Sequence, residues 1–217
     1  MIEIAIGFFA GAIIAGLAWA IVRAQARKRE EEARRAQMTG ALRARDLGLA
    51  EYKKHAPEIP KELYSFELVR APKHEVQDVM SGEAKGRKIL SCTLIRKLAG
   101  GPDESSIYSA ELSLEAPHFA ICPPGLTPRF RTTDWEPIAS VPDEAFCAAF
   151  YGFMPDSAKA ADFLTPKLRE FLAGHTGWAW EFFHRRVVLA APQKLRGNEA
   201  RRAMTAVAEA ARLSSRA

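Results

Sequence analysis

A glutamate and a histidine stand three residues apart at Glu181 and His184. On a helix that spacing supplies a carboxylate and an imidazole to a di-iron centre. Such a centre needs a second pair on facing helices, and the residues around Glu181 read as a strand, so surface charge is the expectation. A thiol beside an imidazole makes a nucleophile and its base once folding brings them into hydrogen-bond reach. Cys147 with His118 or His175 is the combination this chain could use, although Cys147 lies in Ala-Phe-Cys-Ala-Ala-Phe, which reads as core. The five histidines (His55, His74, His118, His175, His184) are scattered, and neither Cys-x-x-Cys nor His-Glu-x-x-His occurs. No metal and no cofactor is expected, and no catalytic residue can be assigned.

Phosphate chemistry is no better provided for. Gly82 to Lys88 contains glycine and lysine but lacks the Walker spacing and the Lys-Ser/Thr pair, so it reads as an exposed hairpin turn. Neither G-x-G-x-x-G nor the nucleophile elbow G-x-S-x-G is present. What remains is binding. Arg129, Arg131, Asp134 and Trp135 share a proline-bounded loop, the kind of segment that carries recognition. The aromatic cluster Trp178, Trp180, Phe182 and Phe183 alternates, which places Trp178, Trp180 and Phe182 on one strand face as core packing.

The elements that must position these residues follow from hydrophobic period and turn signals. Tyr64–Val69, Lys88–Ile95 and Ser106–Leu114 read as strands, the latter two joined by a hairpin turn at Gly100–Asp103. Pro117–Ile121 reads as a further short strand, and Phe146–Met154 as a strand by its aromatics. Asp156 and Ser157 can cap a helix over Ala158–Leu172 that Gly174 ends. Trp178–Phe183 and Val187–Ala190 read as two strands around a tight turn at His184-Arg185. Asn198 can cap a last helix, Glu199–Leu213, with Ala203, Val207 and Ala210 on one face. Strands grouped early and helices late, without regular alternation, predict an α+β class with antiparallel pairing and two helices in the C-terminal half.

Upstream of this domain the chain changes character. Ile4 to Val22 is nineteen residues without a charge, apolar on every side and about long enough for a ~30 Å hydrocarbon core. It reads as a transmembrane anchor over residues 1–22. A cleaved signal peptide is the competitor, and an exported domain would follow from it. However, Met1-Ile2-Glu3 lacks the usual positive charge. From Arg23 to Arg45 there are eight basic residues against three acids, an excess equal to the +5 of the whole chain. Basic residues beside a span stay in the cytoplasm, so the expectation is an inner-membrane, single-pass protein with its N-terminus outside and its domain cytoplasmic. The same charge cluster has no aromatic interleaving, which argues against nucleic acid.

Residues 23–50 read as a charged helical stalk and 51–62 as a proline-punctuated linker, leaving 63–217 for the α+β domain. Within the span, Gly7, Gly11 and Ala15 recur every four residues, a spacing that lets two helices approach, so a homo-oligomer through the membrane helix is one expected partnership. The others are the bilayer, through residues 4–22, and a protein partner.

The order of certain residues resembles a known group. Phe66, then Val79-Met80-Ser81-Gly82 and Gly86, lead to Tyr108, Pro117-His118-Phe119 and Pro123. Phe150 to Asp156, Leu164-Thr165-Pro166, Leu168, Leu172 and Trp180-Glu181 follow. From Tyr64 to the C-terminus this resembles a group of uncharacterised bacterial membrane-anchored proteins. The resemblance implies one compact β-rich domain beside a membrane helix, and it brings no catalytic residues to transfer. A membrane-anchored domain that acts by binding or assembly is the functional expectation. The alternative is an enzyme whose site assembles from distant residues such as Cys147 or His118.

Overall fold

Lys85 and Gly86 both have positive φ, +50° and +69°, between Ala84 and Arg87, which face each other across a two-residue hairpin. That geometry matches the natural twist of paired strands, and it makes Gly82–Lys88 the turn its composition suggested. The computed structural model describes residues 19, 21–32, 34, 52–54, 61–69, 74–98, 101–126 and 136–214. The chain divides into two units, Met1–Arg43 and Ala44–Ala217.

In the first unit, residues 21–32 are helical (α1) and exposed on all sides, consistent with the helix-forming composition of the stalk. The Arg23 guanidinium lies 4.8 Å from the centre of the Trp19 ring. Among the described residues, no helix is long and apolar enough to cross a membrane. The expected span, with Gly7, Gly11 and Ala15, lies almost wholly outside them.

The second unit is α+β with an antiparallel sheet. Its strands are β1 (Tyr52–Lys54), β2 (His74–Ala84), β3 (Arg87–Leu98), β4 (Gly101–Cys122), β5 (Glu136–Pro137), β6 (Tyr151–Phe153) and β7 (Ala179–Ala191). They pair in the order β1-β2-β3-β4-β6-β5, with β7 on β4. Residues 52–54, inside the segment read as a linker, add the strand that pairs with β2. The α-helices among the described residues of this unit are α2 (Glu144–Ala149), α3 (Ser157–Phe163), α4 (Pro166–Ala173) and α5 (Gly197–Ser214), four where two were expected.

Helices cover one face of the sheet. Leu164, Leu168, Leu172, Met204 and Val207 pack there against Tyr108, Leu112, Phe119, Trp180, Phe182 and Leu189. The other face is covered by a short segment instead: Leu63, Phe66, Leu68 and Val69 pack on Leu90, Cys92, Leu94, Ile107, Ala120 and Val188. The two long strands change the face they present partway along. In β4, Tyr108, Ala110 and Leu112 face the helices, yet so do Phe119 and Ile121, because the pairing with β7 slips between Glu111 and Phe119. In β7 the changeover falls between Phe182 and Val187, beside His184 with its φ of +49°.

Several elements differ from expectation for local reasons. Tyr64–Val69 is a string of turns, not a strand: Phe66 N–H donates to Leu63 O and Val69 N–H to Phe66 O. Its apolar residues lie on the sheet face without joining the sheet. Phe146–Met154 splits into α2 and β6, since Asp143 accepts from the Phe146 N–H and starts a helix. The helix expected over Ala158–Leu172 breaks into α3 and α4. Pro166 has no N–H and pushes Thr165 out of helical geometry, and the Thr165 hydroxyl then caps α4 through Leu168 N–H. Pro117–Ile121 is the end of β4, and β7 is one bent strand in place of two around a turn.

Candidate functional site

Alternation on β7 puts Trp180 and Phe182 into the helix-side core and leaves Glu181 pointing the other way, toward segment 61–69. That face is covered, so Glu181 has no solvent exposure. A carboxylate there needs partners, because burying one unpaired costs several kcal/mol or more. Three are present. Its Oε1 accepts the Glu67 N–H at 2.9 Å, its Oε2 accepts the Leu68 N–H at 2.9 Å, and His118 Nε2 lies 2.8 Å from Oε1. Burial pushes the carboxyl above the ordinary range, outweighing the pull of His118 and the two backbone donors in the opposite direction.

His118 reaches this point because the slip in β4 turns it to the same face. Its ring packs between Phe183, at 4.3 Å between centroids, and Phe153, at 5.4 Å. Phe183 in turn meets Phe66 edge-on at 6.1 Å. Segment 61–69 is thus fixed twice, by carboxylate-to-backbone hydrogen bonds and by aromatic contact.

Next to this clamp lies an open groove of about 220 Å³, lined by Ser65, Phe66, Glu111, Phe183, His184, Arg185 and Arg186. One wall, Ser65-Phe66, directly precedes the two amides that Glu181 holds. Phe66 and Phe183 supply apolar surface and the rest is polar. Arg186 donates to Ser109 Oγ at 3.3 Å, Lys88 Nζ lies 3.7 Å from Glu111 Oε2, and His184 Nδ1 lies 3.2 Å from Glu115 Oε1. Arg87 donates to Ser113 Oγ at 2.7 Å beside them.

The arrangement is poorly suited to acid–base chemistry on a substrate. The Glu181 oxygens are consumed by three polar neighbours and inaccessible. The groove is also smaller than the ~300–1,000 Å³ of small-molecule sites. It can accept one side chain or a similarly small group from a larger partner.

The expected site residues are distributed as follows. Arg129, Arg131, Asp134 and Trp135 lie outside the described residues. Cys147 Sγ donates to Val141 O at 3.4 Å, and His175 Nδ1 lies 2.7 Å from Phe171 O. With His118 committed to Glu181, no thiol–imidazole pair forms among the described residues. Trp180 and Phe182 are core, as their alternation indicated, with Trp178 half-buried beside them. Glu181 and His184 do not act together: Glu181 points inward and His184 is exposed. The reading of Glu181 as surface charge is therefore corrected, because the face it points to is covered. An acid embedded in Trp-Glu-Phe-Phe was the available signal. Among the described residues, no group of three or more His, Cys, Asp or Glu could hold a metal ion.

No protein-family model matches the chain, and no curated protein does. Among solved structures it is similar to the mycobacterial trehalose monomycolate transport factor A, TtfA, with a TM-score of 0.54 at 10% identity. The likeness covers 80% of this chain and 94% of that one. At that identity it speaks for the fold.

Proposed function

We propose that this chain is a membrane-tethered protein whose α+β domain faces the cytoplasm and works by binding a protein partner in the groove between Ser65-Phe66 and the bend of β7. The observation that carries this is the groove itself: an open, partly apolar cleft of about 220 Å³ whose wall is pinned by a fully buried carboxylate. A cleft of that size anchors one side chain of a partner and leaves a metabolite largely exposed. The apolar run Ile4–Val22 and the basic excess after it support tethering and orientation. The resemblance to bacterial membrane-anchored proteins belongs to the same reading. The fold neighbour is named for trehalose monomycolate transport, and at 10% identity it brings no substrate to this chain.

The alternative of an enzyme assembled from distant residues has one observation in its favour. His118 and Glu181, 63 residues apart, meet at 2.8 Å, and a perturbed buried acid beside a histidine is a frequent mark of catalysis. Occupation of both carboxylate oxygens by Glu67, Leu68 and His118 favours binding.

Photo-crosslinking in cells tests the proposal. A photoreactive residue at exposed Ser65 in the full chain is expected to give a discrete protein adduct. The same residue at Lys159, on α3, is expected to give none. Equal adducts from both positions, or none from Ser65, would contradict it.

A further inference from the structure

The rim of the groove is not electrically neutral. Arg185, Arg186 and Lys88 stand around Glu111 and Glu115, three cationic groups against two carboxylates. Both carboxylates already have a basic neighbour, Glu111 in Lys88 and Glu115 in His184. Arg185 is exposed and no ion pair engages it among the described residues. The floor, formed by Phe66 and Phe183, is apolar. Within the unit Ala44–Ala217, the exposed large hydrophobic residues among those described are Tyr64 and Leu114. Tyr64 is the chain neighbour of Ser65 in the groove wall, whereas Leu114 follows the alternation of Leu112 and Ala116, which face the helices. An exposed tyrosine beside a charged cleft with an apolar floor suits an interaction surface.

From this we infer that the occupant is a peptide segment of a partner protein that rests an apolar side chain on the touching Phe66 and Phe183 rings and places an acidic residue beside it, against Arg185. The inference rests on the groove being a binding site. Charge complementarity selects the acid: a basic segment would meet the net positive rim as a like charge, which costs far more than a matched rim pair gains. The volume limits the buried part to one side chain, so affinity comes from the flanking contacts that Tyr64 and Arg185 extend.

The test is a positional-scanning library of short acetylated peptides, presented to the full-length protein in detergent micelles. The wild-type protein is expected to select an apolar residue with Asp or Glu next to it, and Arg185→Glu to reduce that acidic preference about tenfold. Ser65→Trp alters an exposed residue, leaves the core intact and fills the cleft, and is expected to abolish selection. Selection of an apolar residue without an acid, or an acidic preference unchanged in Arg185→Glu, would overturn the inference while leaving the groove a binding site. No selection, or selection that survives Ser65→Trp, would overturn both. Binding to phosphatidylglycerol vesicles without peptide selection would also overturn it.

Discussion

Glu181 illustrates how a single strand residue can organise a remote segment. Its two oxygens hold the amides of residues 114 and 113 positions earlier, and it is fully buried in doing so. Gln at this position can accept through one oxygen only, and its NH₂ would face a backbone donor. Glu181→Gln is therefore expected to cost about 1–3 kcal/mol, the penalty of a buried donor left unsatisfied. The pH dependence has a definite sign. Because burial raises the carboxyl above its ordinary 4.5, the folded state retains the proton after the unfolded chain has released it. The carboxyl's contribution is full below about pH 4.5 and declines as pH rises through the raised value. Urea unfolding of both proteins across that range should show the advantage of Glu over Gln shrinking with rising pH; an advantage that grows would refute it. Why the sequence hid this residue is instructive. Alternation tells which face a side chain points to and was enough to bury Trp180 and Phe182. It cannot tell whether the opposite face is covered, and here a turn segment whose alternation reads as a strand of its own covers it.

At the level of elements, long strands with tight turns were legible and short adaptable pieces were not. β3, most of β4 and α5 follow from apolar period, from the turn residues that end them and from the small-residue face Ala203, Val207, Ala210. Tyr64–Val69 differs from expectation because a few alternating apolar residues fit a strand and a turn segment equally well, and Phe146–Met154 because its aromatics suit a strand and a short capped helix alike. In those segments local hydrogen bonds decide, through Leu63 O, Phe66 O and the Asp143 carboxylate. Gly152 on β6 gives a second measurable case. A Cβ there would lie 2.8 Å from Ile138 Cγ1 and 3.2 Å from its Cδ1. Ile138 is buried and its Cγ1 is close to the backbone, so the contact cannot be relieved by swinging a chain end. Gly152→Ala is expected to lose about 1–3 kcal/mol, as overpacking does. Combined with Ile138→Ala, the loss should be clearly less than the sum of the two single losses. Additive losses in urea unfolding would show that this contact is not the reason for glycine.

For the molecule as a whole, a sheet covered by helices on one side and by a clamped segment on the other presents its groove where the clamp meets the bend of β7. The α+β class and antiparallel pairing could be read from strands grouped ahead of helices. The groove could not, since it depends on two register changes in β4 and β7 that carry no sequence mark. Which compartment that groove faces decides what it can bind, and the proposal of a cytoplasmic domain rests on the +5 excess behind the apolar run. The most direct measurement is labelling of Lys85→Cys, on the exposed β2–β3 turn, with a membrane-impermeant thiol reagent in intact and lysed cells. The native thiols interfere little: burial pushes Cys92 and Cys122 up to about 12, and half-buried Cys147 is replaced by alanine. A tethered cytoplasmic binding domain requires that the introduced thiol stay unlabelled until the cells are lysed. Labelling of intact cells would contradict it and put the groove, with any partner it holds, on the other side of the membrane.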